Sequence, residues 1–279
     1  MTKVPINRII DHSLVDGLGN RTALFVQGCN FRCHYCHNPE TMRLCANCGM
    51  CVPYCPSGAL ESATGVIRWR EERCTACDAC IRNCPYNASP RIRWMDGEEA
   101  ARRILANRPF IRGVTCSGGE CTLYRDFLVD LFSRLKAEGL GCLIDSNGSL
   151  DFEKEPELLA LSDGVMLDVK AIDPAVHREL TGQDNEIVLH NAEFLARMGK
   201  LTEIRTVACV RDYGVRETIE KLAVLLKPYL PGNIHYRLIA FRPYGVREEY
   251  QGLGQPRQDA MEELEKQALT SGFSPVSVT

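Results

Sequence analysis

Cys29-Asn30-Phe31-Arg32-Cys33-His34-Tyr35-Cys36 places three cysteines within eight residues, spaced CxxxCxxC. Two more runs follow. Cys45, Cys48, Cys51 and Cys55 are closed by Pro56, and Cys74, Cys77, Cys80 and Cys84 by Pro85. Each of these reads CxxCxxCxxxCP, the spacing with which bacterial ferredoxins hold 4Fe–4S cubanes. The first run offers three thiolates to a four-iron cubane, so one iron stays open to another ligand. Two closed clusters beside an open one imply electron delivery to a reactive iron.

Duller readings of these cysteines fare worse. The total of fifteen is odd, residues 1–10 lack the charged-then-apolar plan of an export signal, and CxxC pairs this dense suit metal better than disulfides. Eight thiolates with xxxCP closures suit two cubanes better than structural zinc. A length of 279 residues, 45% hydrophobic and 25% charged, allows one full core plus a small insert. A net charge of −3 without blocks of like charge argues against a nucleic-acid partner. No apolar run reaches a membrane-spanning length. Reduced thiolates and iron–sulfur clusters fit a reducing, anaerobic cytoplasm.

Between residues 43 and 93 the chain changes character: all eight ferredoxin cysteines lie there, with prolines, the short strand Val66-Ile67-Arg68-Trp69 and no long amphipathic helix. In two-cluster ferredoxins the fourth cysteine of each run ligates the other run's cluster. That rule pairs Cys45, Cys48 and Cys51 with Cys84, and Cys74, Cys77 and Cys80 with Cys55. Outside this stretch, strand patterns at 23–27, 113–117, 142–145, 164–169, 203–209 and 236–241 alternate with helical ones. One helix opens at Asp96 with Glu99 three residues on, a capping box. Another runs from about 125 and stops at Gly139. Others cover about 174–180, 187–198, 216–226 and 257–270. The alternation predicts an α/β fold on a parallel sheet, either a partly closed barrel or an open doubly wound sheet. Active residues belong at the C-terminal ends of its strands in both cases.

The CxxxCxxC follows the first of these strands. Ser117-Gly118-Gly119-Glu120 follows the second, where paired glycines permit close backbone approach and the carboxylate could hold an ammonium. The next two strands end in Asp145-Ser146-Asn147-Gly148 and Met166-Leu167-Asp168-Val169-Lys170. Arg205 lies mid-strand, where a charge needs a partner.

Together with His37-Asn38-Pro39-Glu40, these motifs resemble a radical SAM enzyme, specifically the glycyl-radical-enzyme activating enzymes. Asp16-Gly17-Leu18-Gly19-Asn20-Arg21 is similar to that family's DGPGxR loop, Leu167-Asp168-Val169-Lys170 to its LDLK, and Leu180-Thr181-Gly182-Gln183-Asp184-Asn185 to its LTGxxN. The short insert most resembles the YjjW-type subgroup. The resemblance implies a partial (β/α)6 TIM-like barrel at 1–42 and 94–279, with a ferredoxin-like two-cluster insert at 43–93, hence three 4Fe–4S clusters. Cys29, Cys33 and Cys36 would hold the open cluster, whose free iron takes the amino and carboxylate groups of S-adenosylmethionine. Tyr35 and His37 would lie along the adenine, with Asn38 a further cofactor residue. Ser117, Gly118, Gly119 and Glu120 would meet the methionyl amino group. Asp145 and Asp168, with carbonyls of Ser146 and Met166, would line the cofactor or a monovalent cation. Lys170 would pair with the methionyl carboxylate, helped by Arg205.

The implied reaction is reductive cleavage of S-adenosylmethionine to a 5′-deoxyadenosyl radical, which takes a hydrogen atom from a glycine of a partner enzyme. The implied electron donor is a flavodoxin or ferredoxin, and the protein would act as a monomer. A radical SAM enzyme acting on a small molecule, or a polyferredoxin carrier, accounts for fewer of the motifs. The chain departs from the family pattern at Leu18, where relatives carry proline, and at Arg242, near an expected histidine. Cys116, Cys121, Cys142 and Cys209 read as small buried packing residues.

Overall fold

The computed structural model describes residues 2–232 and 234–279. Its strands are β1 (Val4–Ser13), β2 (Arg21–Val26), β3 (Leu60–Ala63), β4 (Val66–Trp69), β5 (Arg93–Met95), β6 (Gly113–Gly118), β7 (Gly141–Ser146), β8 (Gly164–Asp168), β9 (Leu201–Ala208), β10 (His235–Ala240) and β11 (Val276–Val278). Its helices are α1 (Ala79–Arg82), α2 (Gly97–Leu105), α3 (Arg125–Ala137), α4 (Pro156–Leu161), α5 (Pro174–Thr181), α6 (Glu186–Arg197), α7 (Val215–Leu226) and α8 (Gln258–Thr270). Nine strands form one sheet in the order β11-β10-β9-β8-β7-β6-β2-β1-β5. From β2 to β11 every neighbouring pair is parallel. β1 and β5 add antiparallel pairings at one edge. The sheet is thus open and mostly parallel, and all six expected strands lie side by side within it.

Side chains alternate across the sheet, as the period of two requires. Val114, Cys116, Cys142, Ile144, Val165, Leu167, Ile204, Tyr236 and Leu238 are sealed in the main core, on the same side as the helices' apolar stripes, such as Leu128, Leu131 and Leu135 of α3. Thr115, Ser117, Asp145, Asp168, Glu203, Arg205 and Arg237 take the alternate positions. Cys116 and Cys142 therefore serve packing, as expected, and Cys121 is likewise sealed, its thiol turned to the Cys116 carbonyl at 3.3 Å. Cys209 is only partly enclosed, with its thiol 3.0 Å from the Arg211 carbonyl.

The capping box at Asp96 forms as the sequence predicts: the Asp96 side chain accepts from Glu99 N, and Glu99 accepts from Asp96 N. β1, β5 and β11 are additions to the expected strands, as is the short α4. β5 and β11 are short edge strands and α4 is brief, so their patterns carry little periodicity; β1 is longer but contains Pro5, Arg8 and Asp11 and alternates irregularly. Between β2 and β5 the chain forms the β3–β4 hairpin and α1. Cys51, Leu60, Ile67 and Cys80 make a second, small core there. Among the described residues no helix is long and apolar enough to cross a membrane.

Candidate active site

The loop after β2 carries Cys29, Cys33 and Cys36, and three neighbouring segments fix its path. Thr41 and Met42 carbonyls accept from Gly28 N at 2.7 Å and Cys29 N at 2.9 Å. The C-terminal end of α5 accepts next: Arg32 N donates to Thr181 O at 2.8 Å and His34 N to Leu180 O at 3.0 Å. These are carbonyls that a helix end leaves without partners. Gly182 caps the helix in the left-handed region, and Asn185 Nδ2 donates to the Ala171 and Ile172 carbonyls. The Leu180–Asn185 motif is therefore a platform for the cysteine loop. From the third side, Glu120 N donates to Gly28 O at 2.8 Å and Gly119 N to Val26 O at 3.0 Å.

The last contact explains the paired glycines. A Cβ on Gly119 would lie 2.1 Å from the Gly28 carbonyl oxygen, and one on Gly118 would lie 2.2 Å from Val26 N. The chain's own backbone therefore requires both glycines. Glu120 is also turned inward. Its Oε1 accepts from Thr122 N, Thr122 Oγ1 and Ser146 Oγ, and its Oε2 from Asn147 N at 2.7 Å. At 1% exposure this carboxylate joins two loops instead of standing free for an ammonium. Asn147 in turn reaches Asn30 Oδ1 at 3.0 Å and lies 3.8 Å from Cys29 Sγ.

The Tyr35 ring is sealed in the core beneath Lys170, whose Nζ lies 5.7 Å from the ring centroid, and its hydroxyl has no hydrogen-bond partner among the described residues. His37 does face a groove, and its Nε2 accepts from Arg242 N at 3.3 Å. Asn38 turns the chain; its carbonyl accepts from Thr41 Oγ1 at 2.7 Å.

A buried charged network covers the polar face of the sheet. Lys170 Nζ lies 2.6 Å from Asp168 Oδ2. Arg205 Nη1 donates to Asp145 Oδ2 at 2.8 Å, and Ser117 Oγ donates to the same oxygen at 2.9 Å. Arg205 Nε pairs with Glu203, which His235 and Arg237 also reach at 3.0 and 3.1 Å. Register explains these meetings, since Asp168 pairs with Arg205, Glu203 with His235, and Arg205 with Arg237 across neighbouring strands. Burial works against the Arg205 and Lys170 cations, but facing carboxylates hold both above their ordinary pKa. Burial alone would raise Glu203; His235, Arg205 and Arg237 hold it below its usual value. Asp145 and Asp168 thus each have a resident cation partner.

Sequence reading missed Glu203, although Glu203 and Arg205 alternate onto one face. It also missed Gln27, which is fully buried and donates to the Glu40 and Arg43 carbonyls at 2.6 Å. Arg247 was a third omission. From the loop after β10 it donates to the Arg32 and Cys33 carbonyls at 3.1 and 3.2 Å and stacks on Tyr250, which in turn stacks on His34. Neither Gln27 nor Arg247 falls in a periodic or spaced pattern.

The three cysteines are free thiols. Burial raises all three, Cys36 up to about 12, so cluster binding must displace protons. In the 43–93 stretch, Cys45, Cys48, Cys51 and Cys84 line one cavity. Cys55, Cys74, Cys77 and Cys80 line another, with the buried Trp69 Nε1 turned to the Cys74 sulfur and no oxygen acceptor for it among the described residues. Among the described residues no three such side chains close on a single ion position. Four thiols framing a cavity, with an N–H donor aimed at its sulfur, fit a cluster whose sulfurs accept hydrogen bonds.

The Radical SAM superfamily model matches residues 24–226. A putative glycyl-radical enzyme activating enzyme of Haemophilus influenzae is 29% identical over 268 residues, 88% of this chain and 85% of that one. The choline trimethylamine-lyase activating enzyme of Oleidesulfovibrio alaskensis is 31% identical over 245 residues, 81% of this chain and 79% of its own. Among solved structures, Streptococcus suis SuiB bound to precursor peptide SuiA aligns with TM-score 0.58 at 14% identity, over 90% of this chain and 46% of that one. The chain belongs to the radical SAM superfamily, among its glycyl-radical-enzyme activating enzymes.

Proposed function

We propose that this protein activates a glycyl radical enzyme. The observation that carries the reading is the convergence of the CxxxCxxC loop with the loops after β6 and β7 at the C-terminal edge of the parallel strands, in a chain 31% identical to an activating enzyme. Cys29, Cys33 and Cys36 would hold a 4Fe–4S cluster with one iron left for S-adenosylmethionine. Bound there, the two would supply reductive cleavage of the cofactor's carbon–sulfur bond. Lys170 receives the methionyl carboxylate, with Asp168 holding the ammonium in place. The 117–120 backbone and the 145–148 loop shape the amino-group side, and His37 the adenine side. The substrate is one glycine of a partner enzyme.

Strands β2 and β6–β10 form the partial (β/α)6 barrel of this reading, and residues 43–93 its ferredoxin-like insert. Its two clusters are held by Cys45, Cys48, Cys51 and Cys84 and by Cys74, Cys77, Cys80 and Cys55. A flavodoxin or ferredoxin feeds electrons through them. An anaerobic mixture of the protein, S-adenosylmethionine, reductant and a candidate partner should give a glycyl radical by EPR. Cofactor cleavage without radical formation on any such partner would move the reading toward a small-molecule substrate.

A further inference from the structure

The two cysteine cavities differ in what faces them. Trp69, Asp78 and Arg91 also line the cavity of Cys55, Cys74, Cys77 and Cys80. Trp69 Nε1 is buried there with no oxygen acceptor among the described residues and is turned to the Cys74 sulfur. The Arg91 guanidinium, mostly enclosed, pairs with Asp78 at 2.5 Å and reaches the Cys74 sulfur. Ala59 N donates to Cys55 Sγ at 3.2 Å. The cavity of Cys45, Cys48, Cys51 and Cys84 has Ile67, Met50, Tyr86 and prolines on its walls and no cation among its lining residues. Its sulfurs receive main-chain donors, Asn47 N to Cys45 and Ala88 N to Cys84, both at 3.4 Å.

Reducing a cluster adds negative charge. A nearby cation and an aimed N–H stabilise that charge and raise the reduction potential. Asp78 opposes Arg91 only in part, because its carboxylate is 52% exposed and solvent screens it. We propose that Trp69 and Arg91 set the cluster held by Cys55, Cys74, Cys77 and Cys80 to the higher potential of the insert's pair, making it the electron outlet toward the barrel. This rests on reading residues 43–93 as a two-cluster insert.

Position agrees with that direction. Trp69, Cys74, Asp78 and Arg91 also line a groove of about 1210 Å³ that reaches His37 and Arg247, and Arg247 donates to the Cys33 carbonyl. None of the residues lining the other cavity borders this groove. Electrons move one at a time. The protein donor is oxidised by one as the Cys45-side cluster is reduced. That cluster is reoxidised as the Cys74-side cluster is reduced, and the barrel cluster takes the electron last.

The test is an EPR-monitored redox titration of the full reconstituted chain, with iron content measured on each sample. In wild type the two insert clusters should reduce in separate steps. Trp69→Phe and Arg91→Gln should each shift the upper step down, by about 59 mV for a tenfold change in the one-electron equilibrium, and leave the lower step in place. Arg91→Lys keeps the charge and should restore most of the shift. Full iron content with both steps unmoved in Trp69→Phe and Arg91→Gln, or movement of the lower step instead, would overturn the assignment. An iron content near that of one cluster in wild type would instead overturn the two-cluster reading beneath it.

Discussion

The Lys170 ammonium sits 2.6 Å from the Asp168 carboxylate, so one residue at the end of β8 holds the other in place. The pair presents a single fixed cation beside Cys33, whose thiol Lys170 influences. Lys170→Ala should weaken S-adenosylmethionine binding by roughly ten- to a hundredfold, the equivalent of about 1.5–3 kcal/mol for a charge-assisted partner. Calorimetric titration of the reconstituted protein measures this. Unchanged affinity would place the methionyl carboxylate elsewhere.

Iron content separates the three sites. The reconstituted chain should bind about twelve irons, and replacing Cys29, Cys33 and Cys36 together with alanine should remove about a third of them. The triple variant should release no 5′-deoxyadenosine with dithionite, whereas wild type should. Zinc in the purified protein, or about four irons after full reconstitution, would contradict a three-cluster chain.

Gly119 is constrained by the chain itself. Gly119→Ala would push a methyl against the Gly28 carbonyl at 2.1 Å, and neither backbone can yield without breaking the 2.8 Å bond from Glu120 N. The expected cost is at least about 2 kcal/mol of stability, with poor cluster retention. Thermal unfolding and iron content together test it; a variant with wild-type values for both would show that the two loops are freer than they look.

His177 gives the fold an acid limit. Its ring is fully buried and lies edge-on to Phe31, and only a backbone contact at Ala171 offsets the burial. Burial lowers its pKa from 6.5 to about 4. Between those values the unfolded chain binds a proton that the folded chain does not, so stability falls as pH drops from about 6.5 toward 4. The loss is at most about 3–4 kcal/mol. His177→Phe should flatten this part of a pH–stability profile, measured by denaturant unfolding; an unaltered slope would assign the acid sensitivity to other groups.

The insert should govern the route of electrons more than the chemistry. A variant lacking residues 44–88, joined by a short flexible linker, should cleave S-adenosylmethionine with dithionite and slow sharply with flavodoxin. Circular dichroism checks its fold first. A folded variant that accepts electrons from flavodoxin at the wild-type rate would make the insert a docking or stabilising module.

The parts of this molecule legible from sequence are those with a period or a fixed spacing. The strands β2 and β6–β10 announce themselves by apolar runs, α2 by its capping box, and the cysteines by their intervals. The inward turn of Glu120 was not legible, because it depends on donors from Thr122, Ser146 and Asn147 arriving from two loops. Tyr35 beneath Lys170 is similar: only the tertiary fold decides whether an aromatic beside a cysteine faces a ligand or the core. Gln27 and Arg247 act through backbone carbonyls far away in sequence, and carbonyls leave no mark on side-chain composition.

The Glu40 carbonyl accepts both from Gln27 Nε2 at 2.6 Å and from Ser89 N at 3.0 Å. The stretch between residues 40 and 89 therefore leaves and rejoins the rest of the chain at one oxygen atom. Closing a loop whose ends already touch costs little extra chain entropy as its length changes. This atom is a splice point: modules of different size and cluster number could be exchanged there while the catalytic half keeps its shape. The proposed electron module can change there without rebuilding the sheet that carries Cys29, Cys33 and Cys36.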